Sequence, residues 1–102
     1  MKNKLLNKAE INYLMQDIKG WILFKDNLKK KFIFDNFQEA FSFMTYVALN
    51  AEILNHHPIW SNVYATVDIE LKTHDMNGLT LLDFELAKAI DKYHKKTYHL
   101  TE

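Results

Sequence analysis

Asn62-Val63-Tyr64-Ala65-Thr66-Val67-Asp68-Ile69-Glu70-Leu71-Lys72 alternates along its whole length. Val63, Ala65, Val67, Ile69 and Leu71 fall on one side; Asn62, Tyr64, Thr66, Asp68, Glu70 and Lys72 fall on the other. A period of two marks a strand with one packed face and one wet face. As one straight strand the segment would span about 37 Å at roughly 3.4 Å per residue. A globule of this chain length has a radius of gyration of only about 13 Å. The segment must therefore bend, or divide into two strands near Ala65, and the alternation leaves both open.

Upstream, residues 21–25 read as a strand, Asp26-Asn27 as a tight turn and residues 28–34 as the returning strand, because Asp and Asn tolerate left-handed backbone angles. A first helix is expected from a cap at Asn7, with Glu10 placed for a capping box, Ile11, Leu14, Met15 and Ile18 at helical spacing, and Gly20 as the stop.

A second helix, 36–54, opens on Asn36 with Glu39 three residues on. Phe37, Ala40, Phe41, Met44, Val47, Ala48 and Ala51 form one apolar stripe, and Phe43, Tyr46 and Ile53 a second. Two apolar faces mean burial on both sides, against a partner subunit or within one wide core face. A third helix follows Thr80, with Asp83 completing another capping box and Leu82, Leu86, Ala89, Ile90 and Tyr93 as its buried stripe. The tail after Lys95 is expected to fray.

The order is thus αββαββα. It predicts an α+β, two-layer domain, a four-stranded antiparallel sheet with three helices on one face, formed by residues 1–102 as a single unit. The other sheet face is left for a partner or a ligand.

Composition narrows the function. The 102 residues are 48% apolar, carry no formal net charge and include no cysteine. One core fits this length. Thiol nucleophiles, disulfides and zinc-thiolate sites are excluded. The lack of a basic surplus argues against direct nucleic-acid binding. The one basic run, Lys29-Lys30-Lys31, reads as a guarded edge strand. No signal-like stretch occurs in residues 1–12, and no apolar run is long enough to span a bilayer. A soluble, cytoplasmic protein with no membrane contact is expected.

His56 and His57 precede Pro58, and His74 lies beyond the alternating segment. Pro58 ends the helix and biases His57 to an extended backbone, so the two rings point different ways from a stiff corner. Parity places His74 on the wet face, flanked by Thr73 and Asp75. Imidazole titrates near neutrality and suits proton transfer. Spacing alone leaves three readings open: a three-histidine metal site, an acid–base pair, or no shared role. His94 and His99 read as ordinary surface residues.

The stretch Ala51-Glu52-Ile53-Leu54-Asn55-His56-His57-Pro58 resembles the signature of the pterin-4a-carbinolamine dehydratases. Trp60, Asn62-Val63-Tyr64, Thr73-His74, Gly78-Leu79-Thr80, Asp83, Leu86-Ala87 and Ile90 continue the match, and upstream Gly20-Trp21 and 37–48 fit it. Ile53 and Asn55 depart from residues common in that family.

The resemblance implies helices on one face of a four-stranded antiparallel sheet. It also implies no metal, no cofactor, and homodimers or homotetramers built through the sheet edge and helix 36–54. It implies loss of water from 4a-hydroxytetrahydrobiopterin to give quinonoid dihydropterin. His56 and His74 would form the acid–base pair, and His57 would bind and orient the pterin. Asn55, Thr73 and Asp75 would be hydrogen-bond partners of the pterin or the histidines, and Glu52 would hold the corner together. Some animal relatives also act as dimerisation cofactors of a homeodomain transcription factor, which makes a non-enzymatic binding module the alternative.

Overall fold

Local signals start each helix. In the computed structural model, which describes residues 4–97 with side chains through Tyr93, Asn7 Oδ1 accepts the Glu10 N–H at 2.8 Å. The Glu10 carboxylate accepts the Asn7 N–H at 2.9 Å in return. That backbone hydrogen bond, followed by Lys4, holds the Glu10 carboxyl below its ordinary range. Helix α1 (Lys8–Leu14) is shorter than its periodicity suggests. It tightens into a 3-10 turn, Met15–Asp17, from which Ile18 departs in an extended conformation into the core. Gly20 therefore lies beyond the helix, at φ +82° against the stem of Lys30.

Strands β1 (Ile22–Phe24) and β2 (Asn27–Ile33) follow, then helix α2 (Phe37–Leu54), capped by Asn36 Oδ1 on the Glu39 N–H. Strands β3 (Ile59–Val63) and β4 (Thr66–Leu71), a 3-10 turn (His74–Met76) and helix α3 (Leu81–Thr97) complete the chain. Helix α3 runs past Lys95; the rest of the tail expected to fray, with His99, lies outside the described residues, as does the side chain of His94. The sheet is antiparallel throughout in the order β1-β2-β4-β3. Residues of all three helices pack on one face of it.

Three local expectations are corrected. The first hairpin turns one residue earlier than Asp26-Asn27: Phe24 pairs with Asn27, so Lys25-Asp26 is the loop, with Lys25 at φ +57°. Asn27 is thereby freed to bond Glu70 across the sheet. The alternating segment divides at Tyr64-Ala65, and the loop inverts the parity of what precedes it. Val63 pairs with Thr66 and shares its face, so Val63 is 76% exposed while Val67, Ile69 and Leu71 are buried. Finally, β2 is an interior strand, because β4 pairs against it. Lys29-Lys30-Lys31 is thus no edge guard.

Lys30 points to the helical side. Its Nζ meets Asp91 Oδ1 at 2.9 Å and donates to the Lys19 carbonyl at 2.7 Å. Trp21 Nε1 donates to the same Asp91 carboxylate. One carboxylate of α3 thus ties down both β2 and the segment before β1. Asp91→Ala would strand a largely buried ammonium and an indole N–H. Its expected cost is about 3 kcal/mol in urea unfolding, the lower end for breaking a buried pair, with Asp91→Asn costing less.

Helix α2 lies across the sheet through Ala40, Val47 and Ala51 of the first expected stripe and Phe43 of the second, while Phe37, Phe41 and Ala48 of the first stripe stay exposed. Phe43 is fully buried, with ring centroids 4.8 Å from Phe32, 4.9 Å from Phe34 and 5.4 Å from Tyr93. Tyr46 bridges to α3, its hydroxyl donating to the Ala89 carbonyl at 2.8 Å. Phe37, Phe41, Leu49 and Ile53 stay exposed. The second apolar face is real, but it belongs to these residues.

Candidate functional site

Ile59 pairs with Glu70, so the residues before β3 and after β4 leave the sheet at the same end. Helix α2 closes there on Asn55, whose φ of 52° and ψ of 45° are left-handed, a conformation asparagine tolerates better than most residues. The His56 N–H returns to the Ala51 carbonyl at 2.9 Å. Pro58 then keeps the chain extended into β3. This corner sends its two histidines in opposite senses.

His56 turns inward and is 8% exposed. Its Nε2 lies 2.6 Å from Oδ1 of Asp83, which is fully buried in the first turn of α3. The other carboxylate oxygen accepts from Thr73 Oγ1 at 2.7 Å and from the Thr80 N–H at 2.9 Å. The hydroxyls of Thr73 and Thr80 are 2.8 Å apart. Asp83 engages Nε2, so Nδ1 is the ring nitrogen left for other chemistry. A buried carboxylate with several donors is a satisfied group, and it fixes the ring in one plane.

His57 turns outward. Its Nε2 lies 2.6 Å from Oε2 of Glu52, one turn back on α2, and both side chains are exposed. His74 does not continue the parity of β4, which ends at Leu71. It opens the 3-10 turn, and its exposed ring has no hydrogen bond among the described residues. Its neighbour Thr73 is the residue that Asp83 joins to His56. The hydrogen-bonded chain His56–Asp83–Thr73 therefore links the corner to the turn that carries His74. Asn55 and Asp75 are exposed nearby in sequence.

Asp83 and Thr80 enter the sequence reading as a helix cap and as part of the family resemblance, not as site residues. The cap is formed, and the same carboxylate oxygen accepts from Thr73 as well. Neither cue points to the second task, since pairing with His56 requires α3 to pack against the α2 corner. A groove of about 520 Å³ on the open sheet face is lined by Ile22, Lys29, Lys31, Ile59, Asp68 and Glu70 among others, and by none of these histidines. Among the described residues no group of three or more His, Asp or Glu side chains is placed to hold a metal ion, and no helix is long and apolar enough to cross a membrane.

A buried His–Asp pair, an outward histidine and a histidine on the adjoining turn thus lie on two segments joined by hydrogen bonds. The family model described as pterin 4 alpha carbinolamine dehydratase matches residues 4–93. The chain belongs to that family.

A Prochlorococcus marinus protein, named among the pterin-4-alpha-carbinolamine dehydratases, is 52% identical over 91 residues, 89% of this chain and 95% of its own. A Rhizobium leguminosarum protein of the same name is 52% identical over 94 residues, 90% of this chain and 93% of its own. The crystal structure of a transcriptional coactivator/pterin dehydratase from Brucella melitensis superposes with a TM-score of 0.84 at 37% identity, covering 87% of this chain and 97% of that one. The carbinolamine dehydratase matches span both segments that carry the histidines, the corner and the turn.

Proposed function

We propose that this chain, as one domain of residues 1–102, is a dehydratase. It would convert 4a-hydroxytetrahydrobiopterin, or a close pterin, to the quinonoid dihydropterin and water. The observation that carries the reading is the buried His56–Asp83–Thr73 chain, which holds one imidazole rigidly beside the turn bearing another.

In the reaction the C4a–O bond breaks with its electron pair leaving on oxygen. The N5 proton is lost, and the N5=C4a double bond forms. Hydroxide is a poor leaving group, so an acid must protonate the oxygen while a base takes the nitrogen proton. His56, through Nδ1, and His74 are the two groups for these transfers. His57, braced by Glu52, orients the pterin. Asn55 and Asp75, both exposed, would bond its polar edge. Thr73, its hydroxyl already engaged, acts through Asp83.

The test is stopped-flow absorbance of 4a-hydroxytetrahydropterin decay with and without the protein, in chelator. Acceleration that survives chelation supports histidine chemistry without a metal or cofactor. Acceleration abolished by chelation would overturn that assignment, and no acceleration by folded protein would overturn the enzymatic reading.

We further propose that the chain self-assembles as a homodimer or homotetramer through the sheet edge and the exposed face of α2. Phe37, Phe41, Leu49 and Ile53 support this, because the fold leaves them uncovered. Phe41→Glu should lower the sedimentation coefficient at micromolar protein; an unchanged value removes α2 from the interface. The Brucella relative is also described as a transcriptional coactivator, and the same face would serve such a partner. A pull-down with a homeodomain activator separates that binding role from self-assembly. We expect the protein to work in the cytoplasm, which fractionation of its host would check.

A further inference from the structure

We propose that the segment of residues 4–6 is a strap that positions His74. The proposal rests on His74 being a proton-transfer group. The ring of His74 has no hydrogen bond among the described residues, so its place is set by the backbone of its own turn. On the inner side that turn is anchored by Thr73, through Asp83 and Thr80. Within the turn, the Thr73 N–H donates to the Gly78 carbonyl at 2.9 Å, the Met76 N–H to Thr73 at 3.1 Å and the Asn77 N–H to His74 at 3.1 Å. Asn77 sits at φ +53°, so the turn's exit is bent sharply.

The outer side is held by the strap. The Leu6 N–H donates to the Leu79 carbonyl at 2.9 Å. Leu6 itself packs against the core. Leu5 lies over Gly78 so closely that a Cβ there would stand 2.7 Å from Leu5 Cδ1. Gly78 is buried, and its missing side chain is the space the strap occupies. Behind the turn lies a cleft of about 410 Å³ lined by Leu5, Leu6, Lys25, Asn77, Gly78 and Leu79 among others. The turn is thus not packed solidly from below, and the strap supplies the constraint. A catalytic group displaced by about 1 Å loses on the order of a hundredfold in rate.

Leu6→Pro removes the donor. Its kcat should fall about tenfold to a hundredfold with KM little changed. Leu6→Ala keeps the N–H and should retain most turnover. Amide exchange at 74–78 should speed up in Leu6→Pro while α2, β2 and β4 keep their protection. In a His74→Ala background Leu6→Pro should have no further effect on kcat, since the two act through one group.

Normal turnover in Leu6→Pro, or a loss that adds fully to that of His74→Ala, overturns the strap. Wild-type turnover in His74→Ala alone overturns the reading of His74, and the strap's catalytic role with it. Should Leu6→Pro not fold, deletion of residues 1–6, which removes the strap outright, must show the same non-additive loss or the proposal fails.

Discussion

Turnover of a 4a-hydroxytetrahydropterin should fall by about 10²–10⁴-fold when His56 or His74 is replaced by alanine, the usual contribution of one positioned proton-transfer group. The two variants should differ in a second respect. His56 is a buried partner of Asp83, so His56→Ala leaves a buried carboxylate oxygen without its donor, at about 1–3 kcal/mol of stability. His74 is exposed and its ring bonds nothing among the described residues, so His74→Ala, which keeps the backbone bond, should unfold in urea like the parent. Stopped-flow decay at saturating substrate, with denaturation curves on the same preparations, reads both effects. Folded variants that retain near-parental turnover would remove these residues from the chemistry.

The largest effect on stability is expected at Phe43. It is fully enclosed, with its ring against Phe32, Phe34 and Tyr93, and thus joins α2 to β2 and α3. Phe43→Ala should cost about 3–5 kcal/mol, the transfer term plus the cavity left among rings that cannot close over it. Phe41, half a turn away and 55% exposed, offers the contrast. Phe41→Ala should change the stability of the isolated subunit by no more than about 0.5 kcal/mol. Any larger loss should grow with protein concentration, because it would come from assembly. Equal, concentration-independent losses at Phe41 and Phe43 would contradict the packing of α2.

Much of the fold is legible because its signals are local. Asn7 with Glu10, Asn36 with Glu39 and Thr80 with Asp83 mark helix starts, and all three caps are formed. The strand parity of Val67, Ile69 and Leu71 and the helix break at Pro58 are equally local. The misreadings share one cause. Neither hairpin loop contains a glycine, and Lys25 and Tyr64 take the left-handed positions with no compositional cue. A turn misplaced by one residue, or unmarked, inverts the face of every side chain beyond it, which is why Val63 was expected in the core. Likewise, Phe43 and Phe41 are both apolar helical residues, and periodicity cannot say which of them meets the sheet.

The sequence by itself determined the element order, the helix starts, the α+β class and, through the His-His-Pro and Thr-His elements, the family resemblance and the candidate histidines. Tertiary structure alone decided that β4 lies against β2, placing the lysine run in the sheet interior and Lys30 on Asp91. It alone brought Asp83 to His56, and the segment before Asn7 onto the turn of His74. The physical reason is separation along the chain. Caps and alternation are set by atoms a few residues apart, whereas His56 and Asp83 are 27 residues apart and meet at 2.6 Å only once α2 and α3 share one face of the sheet.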